Sequence, residues 1–203
     1  MIILKVAQKN LKEILEIAVK SIKQGKVLVC PTDTVYGLIC DATNKRAIEK
    51  VFKIKKRPKE KPIPIFVKDM EMAKRLAKID KRQEKFLKSV WPGKITVILR
   101  PKRKFPEGIG KPKKEIGLRV PNYEIINQLL RLCNRPLTGT SANISGEPPS
   151  TKIKEVLKQF TLRRGSGQEK YQPDLIIDVG NLKPSKPSTV IDLTTSPPKI
   201  LRQ

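Results

Sequence analysis

Apolar residues recur at helical spacing in six segments of the chain. In the first segment Asn10 and Glu13 have the pattern of a capping box, and Gly25 stands where a C-terminal cap is expected. One face of this predicted helix carries Leu11, Ile14, Leu15, Ala18 and Ile22. Five further helices are predicted to begin after the polar residues Asn44, Asp69, Asp80, Asn122 and Ser150 or Thr151.

Short apolar or alternating runs between the helices predict β-strands at residues 26–30, 63–67, 96–100, 117–121, 174–179, 189–193 and 199–202. Helices and strands alternate early in the chain, whereas a short turn joins the last two strands and predicts an antiparallel pair. This mixture predicts one α/β domain of the α+β type over residues 1–203, with helices packed on a mixed sheet. Charged loops are predicted at 163–172 and at 102–115, and we expect the latter to be mobile.

The composition adds a strong positive charge to this picture. Among 203 residues, 44 Lys and Arg stand against 19 Asp and Glu, so the net charge is +25. Such an excess indicates anionic partners, such as RNA or nucleotides. A Lys- and Pro-rich composition is also typical of thermophilic proteins, in which ion pairs and stiff loops add stability.

Several functional classes are excluded by what the chain lacks. It contains no His, so imidazole catalysis is excluded, and its three Cys residues do not have the spacing of a zinc site or disulfide framework. We therefore expect no metal site built from protein side chains alone. No apolar run approaches the roughly 18–20 residues that span a bilayer, and no signal-peptide segment is evident. A cytoplasmic protein without a membrane partner is expected.

Two loops rich in hydroxyl groups each follow a predicted strand. The first contains Thr32, Thr34 and Tyr36, and the second contains Thr138, Thr140, Ser141 and Asn143. Hydroxyl and backbone N–H groups at strand ends bind phosphate and carboxylate oxygens, although they also satisfy local turns. No G-x-x-x-x-G-K-[ST] motif is present, so a nucleotide would be bound without a P-loop.

Basic residues near these loops extend the hypothesis of an anion-binding cleft. Lys55, Arg57 and Lys61 form a cationic run that either lies beside the cleft or is a solvated basic face. Arg119 lies between apolar residues of a predicted strand, so it faces either water or a ligand, where it would anchor a carboxylate. Arg202 in the last strand has the same two interpretations.

Six motifs in chain order give the sequence a clear family resemblance. They are PTDTVYGL at 31–38, KxRP at 55–58, WPGxxT at 91–96, GLRVP at 117–121, TSANISG at 140–146 and PSTV at 187–190. Together they resemble the YrdC-like family of threonylcarbamoyl-adenylate synthases, over essentially the whole chain. The resemblance implies an open, twisted mixed sheet with a positively charged concave cleft. The chain stops where the family's short form, without a C-terminal extension domain, is expected to stop.

The resemblance also implies the reaction of L-threonine, bicarbonate and ATP to threonylcarbamoyl-adenylate, pyrophosphate and water, with Mg²⁺ accompanying ATP. Threonylcarbamoyl transferase proteins are implied as partners that pass the group to tRNA, and tRNA or double-stranded RNA is a further candidate partner. The threonine-binding residues would be Thr34, Arg119, Thr138 and Ser188. The catalytic residues would be Lys55 and Arg57, and the ATP-binding residues would be Lys55, Arg57, Lys61, Thr140, Ser141, Asn143 and Arg202.

Three positions depart from the family pattern. Phe66 stands where His or another polar residue is frequent, Glu115 where Thr is frequent, and Lys56 where Gly is usual. Glu115 near a triphosphate would be repulsive unless it turned outward or met a metal. Two alternatives to the synthase stay open: an RNA-binding or ribosome-associated paralogue, and a carbamoyl-transfer relative, although such relatives usually embed this domain in a longer chain.

Overall fold

In the computed structural model, which describes residues 1–111, 114–161 and 171–203, the chain forms six α-helices and twelve strands. The helices are α1 (Leu11–Lys23), α2 (Lys45–Lys55), α3 (Met70–Leu76), α4 (Lys81–Val90), α5 (Glu124–Cys133) and α6 (Ile153–Thr161). The strands are β1 (Ile2–Lys5), β2 (Leu28–Cys30), β3 (Gly37–Ile39), β4 (Ile65–Phe66), β5 (Ala77–Lys78), β6 (Ile95–Pro101), β7 (Ile116–Arg119), β8 (Leu137–Thr138), β9 (Thr140–Ser141), β10 (Leu175–Asp178), β11 (Thr189–Asp192) and β12 (Lys199–Arg202).

The strands form two mixed sheets, where the sequence had suggested one. The first has the order β1-β10-β2-β3-β9, and the second has the order β12-β11-β6-β7-β4-β8 with β5 paired to β6. Both contain parallel and antiparallel neighbours, which confirms the predicted mixed α/β class. The predicted antiparallel pair of the last two strands is also present as β11 and β12.

The segment 137–141 joins the two sheets. Its first part, β8, pairs with β4 of the second sheet, and its second part, β9, pairs with β3 of the first sheet. The buried Thr138 hydroxyl strengthens the junction, since it donates to the Leu38 carbonyl at 2.9 Å and accepts from the Cys40 N–H at 2.9 Å. The two hydroxyl-rich loops are thereby held side by side.

Two hydrophobic clusters stabilise this arrangement. One lies where α1 and α5 pack together against the first sheet, with Ile22, Leu28 and Ile126 fully buried. The other is larger and includes Val51 of α2, Leu87 of α4 and Val97 of β6. Burial of each such Leu, Ile or Val side chain contributes about 1.5–3 kcal/mol relative to exposure.

Most of the predicted helix caps are confirmed. The Asn44 side chain accepts from the Ala47 N–H, and the Asp69 carboxylate from that of Met72. Asp80 forms a complete capping box with Gln83, and Gly25 has a φ of 76° directly after α1. The predicted cap of α6 is not confirmed, because the Ser150 hydroxyl accepts from the Lys152 N–H at 2.9 Å in a turn that precedes the helix, which begins at Ile153.

Two predicted caps are wrong. The Asn10 side chain does not cap α1, because it bonds backward to the Ala7 N–H and the Lys5 carbonyl. α5 begins after Tyr123, and the N–H of Asn122 donates to the Asp33 carboxylate at 3.0 Å. Contacts outside the helix thus replace the Asn10 cap, whereas Tyr123 and not Asn122 is at the N-cap position of α5.

The structure tests only one of the two predicted charged loops over most of its length. Within residues 102–115, Ile109 is buried and pairs with Ile63 by an isolated bridge, so part of this segment is anchored to the core. Of the loop predicted at 163–172, residues 163–170 lie outside the described residues.

Candidate active-site cleft

A cleft of about 590 Å³ opens beside the junction of the two sheets. Both hydroxyl-rich loops contribute to its lining, together with the faces of β6, β7 and β11 and the end of β12. Three arginines that are far apart in the sequence line it, namely Arg57, Arg119 and Arg202. Burial, and to a lesser extent the charge of Arg202, lower the pKa of both Arg57 and Arg119. The cleft is therefore a concentrated positive site, as expected for a binder of small anions.

Arg119 is the most firmly held of these arginines. Its side chain is only 4% exposed, and its Nη2 donates to Asp33 Oδ1 at 2.5 Å. Nε donates to the Gly93 carbonyl at 2.8 Å, and the Phe66 ring centre lies 5.6 Å from Cζ. Burial lowers the pKa of Arg119, while the Asp33 charge opposes that shift. The guanidinium is thus fixed in orientation before any ligand binds.

Asp33 is a residue that the sequence analysis did not select. One of its carboxylate oxygens holds Arg119, and the other accepts from the Asn122 N–H at 3.0 Å. It therefore ties the first hydroxyl-rich loop to the end of β7. An acid within that loop, in a chain with few acids, was an available signal, but Asp33 had no obvious partner in the sequence.

Arg57 and Arg202 are held by backbone carbonyl groups. Nε of Arg57 donates to the Lys61 carbonyl at 2.8 Å, and its Nη2 donates to the Pro62 carbonyl at 3.3 Å. Arg202 donates from Nε and Nη2 to the Ser188 carbonyl, at 3.0 and 2.7 Å. Burial lowers the pKa of both groups. Since carbonyl oxygens do not neutralise these charges, both arginines keep a full charge for an anion.

The hydroxyl groups form pairs around the arginines. Thr32 and Thr34 lie 3.1 Å apart at their Oγ1 atoms, and the Thr32 hydroxyl donates to the Val35 carbonyl at 2.7 Å. Thr96 on β6 and Ser188 before β11 lie 2.9 Å apart at their hydroxyl oxygens. Neither Thr32 nor Thr96 was among the predicted site residues, although each stands in a family-like motif.

Lys55 lies beneath the second hydroxyl-rich loop and not in the lining of the cleft. Its side chain is almost fully buried, and the Nζ atom donates to the Ser141 and Asn143 carbonyls at 2.6 and 2.8 Å and to Asn143 Oδ1 at 3.0 Å. All three ammonium protons are therefore used within the protein. Burial, and then the charge of Arg57, lower the pKa of Lys55 to about 7.

The other predicted residues divide into two groups. Thr34, Thr140, Ser141 and Ser188 line the cleft, as do the three arginines. Thr138 is buried at the sheet junction, Asn143 accepts from Lys55 and from the Ser141 hydroxyl, and the exposed Lys61 supplies its carbonyl to Arg57. The ligand roles assigned to these residues stay predictions.

The departures from the family pattern also lie at the cleft. Phe66 pairs with Arg119 across β4 and β7, so its ring lies beside the guanidinium where a polar group is frequent. Glu115 lines the cleft and forms an ion pair with Lys111. That pair compensates the negative charge that would otherwise oppose a triphosphate.

The described residues contain no cluster of three or more His, Cys, Asp or Glu side chains that could hold a metal ion. Within the same part of the chain, no helix is long and apolar enough to cross a membrane. The buried Cys30, Cys40 and Cys133 are free, and burial raises the pKa of each thiol. The polar side chains that line the cleft are its hydroxyl groups and arginines, together with Lys111 and Glu115.

The fold and the cleft define a mixed α/β protein with a preformed cleft lined by three arginines and by hydroxyl groups. The family model Sua5_yciO_yrdC, described as Telomere recombination, matches residues 20–203. The chain belongs to this Sua5/YciO/YrdC family, which confirms the resemblance noted in the sequence.

Named relatives agree with this assignment. A putative threonylcarbamoyl-AMP synthase of Methanocaldococcus jannaschii is 37% identical over 182 residues, which are 90% of this chain and 81% of the relative. The threonylcarbamoyl-AMP synthase of Pyrococcus abyssi is 35% identical, over 93% of this chain and 53% of its own length. The crystal structure of P. abyssi Sua5 complexed with L-threonine matches 99% of this chain and 56% of that one, with a TM-score of 0.86 and 34% identity. The chain thus spans about half the length of the P. abyssi protein.

Proposed function

We propose that this chain is a threonylcarbamoyl-AMP synthase, which converts L-threonine, bicarbonate and ATP into threonylcarbamoyl-AMP, pyrophosphate and water. The observation that carries the proposal is the convergence of Arg57, Arg119 and Arg202 on one cleft lined by two hydroxyl-rich loops. The names of the M. jannaschii and P. abyssi relatives and the threonine complex of P. abyssi Sua5 support it.

The threonine carboxylate would bind Arg119. With Nε held by Gly93 and one Nη2 proton held by Asp33, the remaining protons at the Nη1–Nη2 end are available for a carboxylate oxygen pair. Thr34 and Ser188 line the same cleft and would contact the amino acid. Thr138 would support the site from the sheet junction, where its hydroxyl is already bonded.

The triphosphate would lie against Arg57, Arg202 and the second hydroxyl-rich loop. Both arginines are aligned by backbone carbonyls, so they would neutralise phosphate charge without reorganisation. Thr140 would donate its hydroxyl to a phosphate oxygen from β9, and Ser141 would do so by turning its hydroxyl away from Asn143 Oδ1. Lys55 and Asn143 would act beneath them by holding the loop, and Lys61 would act by fixing Arg57 through its carbonyl.

The reaction would proceed in two steps. The threonine amine attacks bicarbonate and loses water to give a carbamate, whose oxygen then attacks the α-phosphorus while pyrophosphate leaves. The chain's own residues would orient the carbamate and neutralise the charge that develops on the phosphates. Mg²⁺ bound to ATP would add to this neutralisation, and phosphate oxygens would hold most of its coordination sites. Glu115 is a carboxylate in the lining of the same cleft.

The partners follow from the product. A threonylcarbamoyl transferase complex would take the adenylate and transfer its threonylcarbamoyl group to tRNA, and direct contact with tRNA or double-stranded RNA is part of this hypothesis. A cytoplasmic location is proposed with it. The alternative function, an RNA-binding paralogue without adenylate synthesis, uses the same basic surface.

Pyrophosphate release from ATP, with threonine and bicarbonate omitted in turn, tests the proposal. The synthase requires both for release. Release that needs neither, or no release from folded protein, would favour the RNA-binding alternative. A control with serine in place of threonine measures how strongly the cleft selects its amino acid.

A further inference from the structure

A second groove, of about 930 Å³, lies apart from the active-site cleft. Its walls are the first turn of α4, the ladder of β5 and β6, and the hairpin of β11 and β12, and we call it the hairpin groove. The cations Lys78, Arg82, Arg100 and Lys102 line it, together with a partly buried Phe86. It shares no lining residue with the cleft.

The positive charge of the hairpin groove is placed where local interactions disfavour it. Lys78 stands directly opposite Arg100 in the antiparallel pair of β5 and β6, and like charges in that register repel. Arg82 lies in the first turn of α4, where the helix dipole favours acids. A bound anion would relieve both conflicts.

Nearby carboxylates do not relieve these conflicts. Across the described ranges, none of the four cations forms an ion pair. Asp80 lines the groove but caps α4 through the Gln83 N–H at 2.7 Å. Glu84 of the same helix is bonded to Lys74 and Lys88. The four cations therefore remain available to an external anion.

The apolar part of the groove narrows the class of ligand. Ile79, Phe86, Ile191 and Ile200 also line it, and Ile200 is 58% exposed on the edge strand β12. Proteins that bind single-stranded nucleic acids combine a basic groove for the phosphates with aromatic side chains on which the bases stack, and Phe86 is such a side chain in this groove. The hairpin groove has both parts side by side.

We propose that the hairpin groove binds the phosphate backbone of single-stranded RNA. Arg100 and Lys102 are two residues apart, about 7 Å along an extended chain, and Lys78 faces Arg100. This gives a short row of cations for successive phosphates, and the aromatic ring of Phe86 beside it offers a face for a base, which an acidic protein segment would not need. The proposal does not depend on the synthase activity, because the groove residues lie outside the cleft.

The test compares two quadruple variants of the full chain. One replaces Lys78, Arg82, Arg100 and Lys102 by Gln, and the control replaces the exposed Lys12, Lys20, Lys23 and Lys26 by Gln. Both lose the same number of charges. Anisotropy of a short end-labelled single-stranded RNA is measured at several salt concentrations, with poly-glutamate and ATP as competitors. Circular dichroism and threonine-dependent pyrophosphate release report folding and the cleft.

We expect the RNA affinity of the groove variant to be lower than that of the control variant by about tenfold or more. The slope of log affinity against log salt concentration should be smaller in magnitude by about 2–3. Pyrophosphate release should be unchanged in both variants. Equal weakening by both sets would show diffuse surface charge and overturn the proposal. Displacement of RNA by ATP alone would place the RNA in the cleft, and equal displacement by poly-glutamate would assign the groove to an acidic protein partner. Either result would also overturn it.

Discussion

The active-site cleft and the hairpin groove are both basic, but they hold their cations in different ways. In the cleft Arg57, Arg119 and Arg202 are each aligned by internal acceptors within hydrogen-bonding distance. In the groove Lys78 and Arg100 face each other and are exposed to solvent. Fixed guanidinium groups select the shape of a small anion, because little ordering is required when it binds. Exposed cations give attraction that depends on salt and hardly on shape.

The two cavities share one structural wall. β12 is the edge strand of the second sheet, and side chains from it line both cavities. Leu201 and Arg202 line the cleft, whereas Ile200 lines the groove. The comparison is therefore between two sides of one hairpin, and it can be tested by substitutions that affect one side only.

Replacing Arg119 by Ala should have the largest effect and would sharpen the comparison most. The buried, hydrogen-bonded charge that would bind the threonine carboxylate is lost, so we expect threonine-dependent pyrophosphate release to fall by about 100-fold or more. RNA affinity should stay unchanged, because Arg119 does not line the groove. Kinetics at varied threonine, together with RNA anisotropy, measure both. Equal loss of pyrophosphate release and of RNA affinity would contradict the separation of the cleft from the groove.

Folding of this variant needs its own control. Removal of Arg119 leaves the Asp33 carboxylate, 7% exposed, without its ionic partner, and loss of one partner of a buried pair costs about 3–5 kcal/mol. The double variant Asp33→Asn with Arg119→Ala removes both charges. The free energy of unfolding should recover in this double variant, whereas threonine-dependent pyrophosphate release should not. Recovered threonine dependence would show that Arg119 only balances Asp33.

Arg57→Ala and Arg82→Ala form a matched pair with the next largest effect. Loss of the Arg57 fork should weaken ATP binding by about 1.5–3 kcal/mol, because a charge-assisted contact with phosphate is removed. Arg82→Ala should leave ATP affinity unchanged and weaken RNA binding. Titration of ATP and of RNA against both variants measures the four affinities. If Arg57→Ala left ATP affinity intact, Arg57 would not belong to the phosphate site.

The sequence predicted the elements of the fold well where local signals decide them. The periodicity of α1, the caps Asn44 and Asp80, and the antiparallel end of the chain are all confirmed. β1 was not predicted, because its strand depends on pairing with β10, far along the chain. Asn10 was mistaken for a cap because its side chain bonds to Ala7 and Lys5 outside the helix, and Asn122 because α5 begins one residue later, after Tyr123.

The candidate site was predicted in part for a similar reason. The motifs indicated which residues belong together, but not which of them face the cleft. Lys55 has the charge of a phosphate ligand, yet α2 ends where its ammonium bonds to three acceptors of the Ser141–Asn143 segment. The hairpin groove gave no sequence signal, because its four cations meet only through the register of β5 with β6 and the packing of α4.

The smallest predicted effect concerns Lys55, which has the pKa shift of a buried cation although it belongs to neither cavity. Its pKa is about 7 in the folded chain, against an ordinary value of 10.5, because burial and Arg57 disfavour the ammonium. Between these values the unfolded chain binds one proton more than the folded chain, so stability rises with pH. From pH 7 to pH 8 the free energy of unfolding should increase by about 1 kcal/mol relative to the Lys55→Met variant, which cannot titrate there. Urea unfolding of both proteins at each pH measures the difference. A constant difference would show that the Ser141 and Asn143 acceptors keep Lys55 charged over this pH range, as the cleft arginines are.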